Sequence, residues 1–200
     1  MGELVYNKTI LIVGVGTSPG VITSTVEALF NEDIDLVPDD IIVITTVPGK
    51  SLIEVDLLNN NSWDLFCENY RSKCISLEDK LRFGSSNSIK ILGDNQRDFD
   101  DITNLYECDQ SAERILEIIR TYTSNPNTRV LISIAGGRKS LSALMLSCMT
   151  LLAREQDRIF HVFITESRNE APSLAEISFV RLRGWVEQNT GSTTPSYIDL

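Results

Sequence analysis

The chain has very little of the residues that build metal sites and disulfide frameworks. It contains one histidine, His161, and four cysteines that are scattered through the sequence without a Cys-x-x-Cys pair. Isolated cysteines with a single histidine do not match the ligand spacing of a structural zinc site. Unpaired cysteines are typical of a reduced compartment, so the sequence predicts a cytoplasmic protein with no metal and no other cofactor.

Long apolar runs and positive charge are also scarce. No stretch approaches the roughly 18 consecutive apolar residues that a membrane-spanning helix needs. The N-terminus has Glu3 and Lys8 before a short apolar segment, which is not the pattern of a secretory signal. Acidic residues outnumber basic ones by 28 to 18, so the surface as a whole should repel bulk DNA, bulk RNA and anionic membranes. Any phosphate ligand must therefore be small and held by local positive charge.

Strand-like and helix-like patterns alternate along the chain. Apolar runs typical of strands cover residues 9–14, 40–45, 88–92, 129–134, 159–165 and 175–183. Helices are expected over residues 20–30, 111–123 and 141–152, and after residue 51. A polar loop rich in Asp and Asn occupies residues 93–104. This alternation predicts an α/β fold with a Rossmann-like, mostly parallel sheet of about six strands, helices on both faces and a last strand at a possible antiparallel edge.

The most informative motif lies between the fourth strand and its helix. Residues 133–140 read SIAGGRKS, so two glycines, two adjacent cations and a hydroxyl stand at a helix start. Glycines let a backbone approach a ligand closely, and a helix N-terminus offers free N–H groups and a positive dipole end. Arg138 and Lys139 add full positive charge at that place. Two adjacent cations in a chain with a net charge of −10 indicate an anionic ligand. The motif predicts an anion-binding turn formed by Gly136, Gly137, Arg138, Lys139 and Ser140.

Two further glycine-containing turns follow the first and second strands. Residues 14–20 read GVGTSPG and residues 46–51 read TVPGKS. Neither is a complete nucleotide fingerprint, because the first has no third glycine at the required spacing and the second is too short for a Walker A loop. Parallel strands end at the same edge of a sheet, so the three turns should converge on one site. They add the following ligand-binding candidates: Gly16, Thr17, Ser18, Thr46 and Lys50.

Each candidate also has a structural interpretation that the sequence leaves open. Gly136 and Gly137 can serve a tight strand-to-helix turn, which explains the glycines but not the cations beside them. Thr17 and Ser18 are equally suited to capping the first helix. Structural or solvated positions are the simpler expectation for four further polar residues: Lys50, His161, Arg181 and Arg183.

The two motifs together resemble those of the CARF (CRISPR-associated Rossmann fold) domains of type III CRISPR systems. The first strand ends Gly-x-Gly-Thr-Ser-Pro, and the fourth strand continues into Ala-Gly-Gly-Arg-Lys-Ser, as in one branch of that family. The resemblance covers about residues 8–183 and implies a single CARF-like domain over residues 1–200, with a C-terminal tail at 184–200. It also implies a homodimer that binds cyclic oligoadenylate across the interface. No HEPN or nuclease effector domain is recognisable, which implies a stand-alone member.

A stand-alone member of this family would either cleave its ligand or only bind it. The resemblance implies a metal-independent ring nuclease acting on cyclic tetra-adenylate, in which the ribose 2′-OH attacks the adjacent phosphate and leaves a 2′,3′-cyclic phosphate. Arg138 and Lys139 would stabilise the reacting phosphate, and Ser18 or Thr17 would orient the 2′-OH. The alternatives are a non-catalytic sensor or sponge for cyclic oligoadenylate and, more distantly, an α/β protein that binds another nucleotide and is unrelated to CRISPR.

Overall fold

A computed structural model describes residues 6–72, 78–165 and 174–180 as a six-stranded sheet with helices on both faces. The first five strands are parallel, and β6 is antiparallel to β5. Their order across the sheet is β3-β2-β1-β4-β5-β6. The predicted fold class, including the antiparallel edge, is therefore confirmed. The strands are β1 (Lys8–Gly14), β2 (Asp40–Thr45), β3 (Ile89–Ile91), β4 (Thr128–Ser133), β5 (Arg158–Thr165) and β6 (Leu174–Val180).

Five α-helices connect these strands and enclose two apolar cores. They are α1 (Gly20–Glu32), α2 (Val47–Ile53), α3 (Ser62–Arg71), α4 (Leu105–Thr123) and α5 (Lys139–Leu152). A 3-10 turn (Ile34–Leu36) follows α1, and a π-helical segment (Glu54–Leu58) continues α2. Leu11 and Val13 of β1 face the core beneath α1, α2 and α3, whereas Ile10 and Ile12 face the core beneath α4 and α5. Burial on both faces explains why the central strands are continuously apolar instead of alternating.

Three helices begin earlier than the sequence predicts. Residues 47–51, interpreted as a turn, are already the first part of α2, because Pro48 at its start suits a helix N-terminus. Helix α4 starts at Leu105, where the Asn104 side chain accepts a hydrogen bond from the Glu107 N–H (3.0 Å) and caps the first turn. Helix α5 starts at Lys139 and not at residue 141. The apolar period reveals a helix only where it contacts the core, so exposed first turns were missed.

The strand order places the topological switch point of the sheet between β1 and β4. Strand β1 pairs with β2 on one side and with β4 on the other, and the chain winds outward in both directions. Ligands of such sheets bind in the crevice at the carboxyl ends of the strands on either side of this point. The two glycine motifs follow β1 and β4, and so lie beside that crevice.

The opposite end of the sheet is held by buried charges. Asp157 is fully buried and accepts hydrogen bonds from the Val130 N–H (2.8 Å) and from the backbone and guanidinium of Arg154. Arg129 donates to the Thr9 hydroxyl (3.0 Å) and to the Tyr6 hydroxyl (2.6 Å). These hydrogen bonds of Asp157 and Arg129 fix the amino ends of β1, β4 and β5.

Two sequence expectations lie partly outside the described residues. The last strand ends at Val180 in the described part, so Arg181, Arg183 and the expected tail at 184–200 lie beyond it.

Among the described residues, no helix has the length and apolar character needed to cross a membrane.

Candidate functional site

A cavity of about 880 Å³ lies at the carboxyl ends of β1, β2 and β4, within the size range of small-molecule sites. Four connections contribute to its wall: β1–α1, β2–α2, β3–α4 and β4–α5. Of the candidates named from the sequence, the cavity wall contains Gly16, Thr17, Ser18, Thr46, Gly136, Gly137 and Arg138. The three glycine-containing turns therefore lie at one cavity, as their positions at the strand ends predict.

Glycines in the first and fourth connections allow their backbones to touch. A Cβ on Gly136 would lie 2.4 Å from the Gly14 carbonyl oxygen, and one on Gly16 would lie 3.2 Å from the Gly137 Cα. Gly137 also has a φ of +83°, a conformation that residues with a side chain rarely adopt. The structural interpretation of these glycines is thus sufficient to explain them.

The second connection is locked to the first in the same manner. A Cβ on Gly49 would lie 2.0 Å from Thr45 Oγ1 and 2.9 Å from the Gly16 carbonyl oxygen. The Thr45 hydroxyl in turn donates to the Val15 carbonyl oxygen (2.7 Å). The three connections therefore form one rigid floor, and its shape follows from packing and not from a ligand.

Three helix N-termini contribute to this floor, and none has a side-chain cap. Helices α1, α2 and α5 begin beside the cavity, and no side chain bonds to their first N–H groups. None of the three has an acidic residue in its first turn, whereas α3 and α4, which begin elsewhere, have Asp64 and Glu107. These positive dipole ends, gathered in one place, form an environment that favours an anion. The first N–H groups of α5 are free to contact it, whereas the Val47 N–H at the start of α2 is bonded to the Phe99 carbonyl oxygen (3.0 Å).

Thr17 and Ser18 do not cap the first helix. The N-cap of α1 is Pro19, and neither hydroxyl makes a hydrogen bond to a described residue. Both side chains are exposed and line the cavity. The capping interpretation is therefore wrong, because the helix begins one residue too late for Ser18 to serve it. The hydroxyls are available to a ligand.

The cations of the fourth connection differ in their position. Arg138 is the N-cap residue of α5 and belongs to the cavity wall. Lys139 is exposed at the first position of α5, outside the cavity wall, and has no ion pair with a described residue. Ser140 follows it on the helix and also lies outside the wall. Of this motif, the structure brings Gly136, Gly137 and Arg138 to the cavity.

The second connection brings one of its two candidates to the cavity. Thr46 lines the wall as the N-cap residue of α2, and its hydroxyl makes no capping bond. Lys50 lies outside the wall and forms an i,i+4 ion pair with Glu54 at 3.6 Å. That local partner agrees with the interpretation of Lys50 as a solvated surface lysine.

Sequence reasoning missed two acidic residues of the site, Asp100 and Asp101. Both line the cavity, and Asp101 forms an ion pair with Arg138. They belong to the polar segment that the sequence identified only as a loop. The available signal was the run Asp98-Phe99-Asp100-Asp101, an aromatic residue among carboxylates next to a strand.

The β3–α4 loop, residues 92–104, is fixed against the fold at its middle and near its end. In the middle, Phe99 is fully buried, and its carbonyl oxygen accepts a hydrogen bond from the Val47 N–H (3.0 Å). Near the end, Glu107 accepts hydrogen bonds from the Thr103 N–H (2.9 Å) and from the Thr103 hydroxyl (2.8 Å), and it pairs with Arg97 (2.8 Å). These contacts hold the pKa of the Glu107 carboxyl below its ordinary value. The Thr103 N–H has the largest effect, followed by the Thr103 hydroxyl and then by Arg97.

The described residues contain no group of three or more His, Cys, Asp and Glu side chains placed to hold a metal ion. His161 lies on β5 outside the cavity wall, with its ring 4.7 Å from that of Phe163. Burial raises the pKa of the Cys67 thiol to about 11, so this cysteine is not a nucleophile at neutral pH. The polar groups of the cavity wall are hydroxyls, backbone N–H groups, Arg138 and the two aspartates.

Comparison with known proteins adds a family to this geometry. Among curated proteins, none matches the sequence. One solved structure of similar shape is Csm6 of Enterococcus italicus bound to cyclic hexa-2′-fluoro-hexa-dAMP, with 11% identity and a TM-score of 0.49. The match covers 85% of this chain and 42% of that chain, so this chain spans less than half the length of that Csm6.

A match to a protein family extends over most of the chain, from residue 18 to residue 184. It includes Ser18, the second connection, the β3–α4 loop and the whole of the second glycine motif. The alternative of a nucleotide-binding protein unrelated to CRISPR is therefore wrong. The match confirms the CRISPR assignment that the two motifs carried: the chain belongs to the family of CRISPR-associated protein NE0113.

Proposed function

We propose that this protein binds a cyclic oligoadenylate, cyclic tetra-adenylate in particular, in the cavity at the switch point, and cleaves it as a ring nuclease. The observation that carries the proposal is the gathering of three uncapped helix N-termini around one cavity with Arg138 at its edge. These groups favour phosphate, while the net charge of −10 disfavours long nucleic acids.

The cleavage requires no cofactor, because RNA carries its own nucleophile. The ribose 2′-oxygen attacks the adjacent phosphorus, the bond to the 5′-oxygen of the next nucleotide breaks, and the 2′-OH proton leaves while the 5′-oxygen gains one. The product is a linear oligoadenylate with a 2′,3′-cyclic phosphate. Ser18 or Thr17 orients the 2′-OH, and Arg138, Lys139 and the free N–H groups of α5 stabilise the charge on the phosphate oxygens.

Helix α5 supports a dimer as the active unit. After Lys139 it has no charged residue as far as Leu152, although Ala143, Ser147, Thr150 and Leu151 are exposed. The exposed side of α4, by contrast, is charged. The uncharged side of α5 starts at the cavity, since Arg138 and Leu141 belong to the wall. A second copy seated there would place two cavities together, so that one ring meets both.

The specific observation that favours the sensor or sponge is the position of the cations. Lys139 lies outside the wall, and Arg138 is paired with Asp101, so few groups face a reacting phosphate directly. A cavity of this kind is sufficient for binding without cleavage. Binding is common to both functions, and cleavage separates them.

The test is incubation of the pure protein with cyclic tetra-adenylate and cyclic hexa-adenylate in excess EDTA, followed by product analysis. A ring nuclease gives a linear product with a 2′,3′-cyclic phosphate, and the double variant Thr17→Val/Ser18→Ala should lose it. Intact rings that remain tightly bound would establish the sensor. Activity that requires added Mg²⁺ or Mn²⁺ would overturn the metal-independent mechanism and would direct attention to Asp100 and Asp101.

A further inference from the structure

An acidic side chain occupies a cavity that otherwise favours anions, and it pairs with the cation in the wall. Among the described lining residues, Arg138 is the one Arg or Lys, while Asp100 and Asp101 are both acidic. Asp101 Oδ2 forms its ion pair with a terminal guanidinium nitrogen of Arg138. The two residues come from the β3–α4 and β4–α5 connections, so the pair joins these two connections at the cavity wall.

The backbone holds Asp101 in this position. Two residues before it, Phe99 is fully buried and bonded through its N–H to the Leu92 carbonyl oxygen (2.8 Å). Two residues after it, Thr103 is bound to Glu107. The Asp101 carboxylate also accepts a hydrogen bond from the Ile102 N–H (2.7 Å). The anchored backbone and the Ile102 N–H therefore orient this carboxylate towards Arg138.

The partner of this carboxylate is more open to solvent. The Arg138 side chain is 64% exposed and that of Asp101 is 28% exposed, so water weakens their attraction. A phosphate offers the same guanidinium two oxygens in a bidentate arrangement, and the helix N-termini beside it add further contacts. A phosphate can therefore replace the carboxylate as the partner of Arg138.

We propose that Asp101 is a built-in counter-ion, which occupies the anion position of Arg138 in the ligand-free protein and must be displaced by a phosphate of the ligand. Asp101 then lowers the affinity of the site for every anion that pairs with Arg138, so that only a ligand with further contacts binds tightly. A single small anion gains little beyond the exchange at Arg138, whereas a ring with several phosphates also reaches the helix N-termini. The inference rests on the proposed function, because it assigns Arg138 to an anionic ligand.

The test compares matched variants by calorimetric titration with cyclic tetra-adenylate and, separately, with inorganic pyrophosphate. Asp101→Asn should bind each probe about fivefold more tightly than the unaltered protein, the upper range for loss of an exposed ion pair. Asp101→Glu, which keeps the charge, should bind like the unaltered protein. Asp98→Asn removes the same charge from the same loop outside the wall, and should also leave affinity unchanged. In an Arg138→Gln background the gain from Asp101→Asn should disappear.

The outcomes separate this inference from the proposed function. If no variant binds the ring but Asp101→Asn still gains affinity for pyrophosphate through Arg138, the proposed function fails and the counter-ion role stands. If Asp101→Asn gains nothing with either probe, or if its gain persists without Arg138, the counter-ion role is overturned. Thermal unfolding confirms that each variant is folded, and Asp101→Ser replaces Asp101→Asn in the comparison if the latter unfolds.

Discussion

Single glycines determine whether the cavity can exist. The floor is formed where three connections touch, and at Gly49 and Gly136 the contacts are closer than a Cβ allows. The shortest contact with backbone is at Gly136, where a Cβ would lie 2.4 Å from the Gly14 carbonyl oxygen and 2.9 Å from a methyl group of Val21. Backbone cannot move aside as a flexible side chain does, so this position excludes every other residue.

We expect Gly136→Ala to destabilise the protein by about 1–3 kcal/mol or more, the usual cost of overpacking against fixed neighbours. It should also weaken ligand binding, because the fourth connection must shift away from the first. Urea denaturation measures the stability. The matched control is Gly20→Ala at the start of α1, where a Cβ meets nothing within 4 Å. Equal stability of the two variants would mean that the connections are not in contact.

Lys139 tests the proposed chemistry at the residue scale. The residue belongs to the motif and is the first residue of α5, but it lies outside the cavity wall. If it stabilises the cleaved phosphate, Lys139→Ala should slow single-turnover cleavage of cyclic tetra-adenylate by about 10²–10³-fold. Lys90→Ala removes a lysine from β3 and should leave the rate unchanged. A normal rate in Lys139→Ala would remove this lysine from the mechanism.

At the scale of elements, the site depends on how helices and loops begin. Helices α1, α2 and α5 start without caps or acidic residues, while α4 starts with Asn104 and Glu107. Glu107 also binds Thr103 and Arg97, and so ties the β3–α4 loop to α4. The position of the loop that carries Asp101 to the cavity is thereby fixed relative to α4.

Because these bonds lower the pKa of Glu107 in the folded protein, its contribution to stability depends on pH in a definite direction. The contribution is complete above the ordinary glutamate value of 4.5 and is lost as pH falls through the lower folded value. The unfolding free energy of the unaltered protein should therefore fall towards that of Glu107→Gln between about pH 6 and pH 3. Urea denaturation across this range measures the difference.

Glu113→Gln, an exposed position on the same helix, is the control for that series. Its unfolding free energy should remain parallel to that of the unaltered protein throughout. A constant difference between the unaltered protein and Glu107→Gln, down to the most acid point, would show that Glu107 does not gain these bonds on folding.

For the whole molecule, apolar pattern and turn chemistry were enough to predict the sheet, its antiparallel edge and the convergence of the glycine turns. These features follow from burial, which the sequence displays directly through runs such as residues 129–134. The Asp101–Arg138 pair was not predictable in this way, because the two residues are 37 positions apart and come together only through the fold. Exposed first turns, such as residues 105–110, were not predicted either, because residues that do not contact the core show no apolar period.

The proposed dimer interface lies on the exposed, uncharged side of α5, where a single substitution can test it. Leu151 is 78% exposed on the uncharged side of α5, so Leu151→Glu places a charge where a second copy is expected to pack. We expect this variant to sediment as a monomer and to bind cyclic tetra-adenylate weakly. Leu65→Glu alters a similarly exposed leucine on α3 and should leave the dimer intact. A dimer that persists in Leu151→Glu would place the interface elsewhere.

Both the ring nuclease and the sensor must bind cyclic oligoadenylate in the cavity at the ends of β1 and β4. Calorimetric titration of the protein with cyclic tetra-adenylate, beside the Arg138→Gln variant, therefore tests the proposed site under either function. We expect saturable binding of one ring per two chains, and at least a tenfold loss of affinity in Arg138→Gln, about 1.4 kcal/mol for a charge-assisted contact. Absence of binding, or equal affinity in both proteins, would show that the cavity is not the binding site.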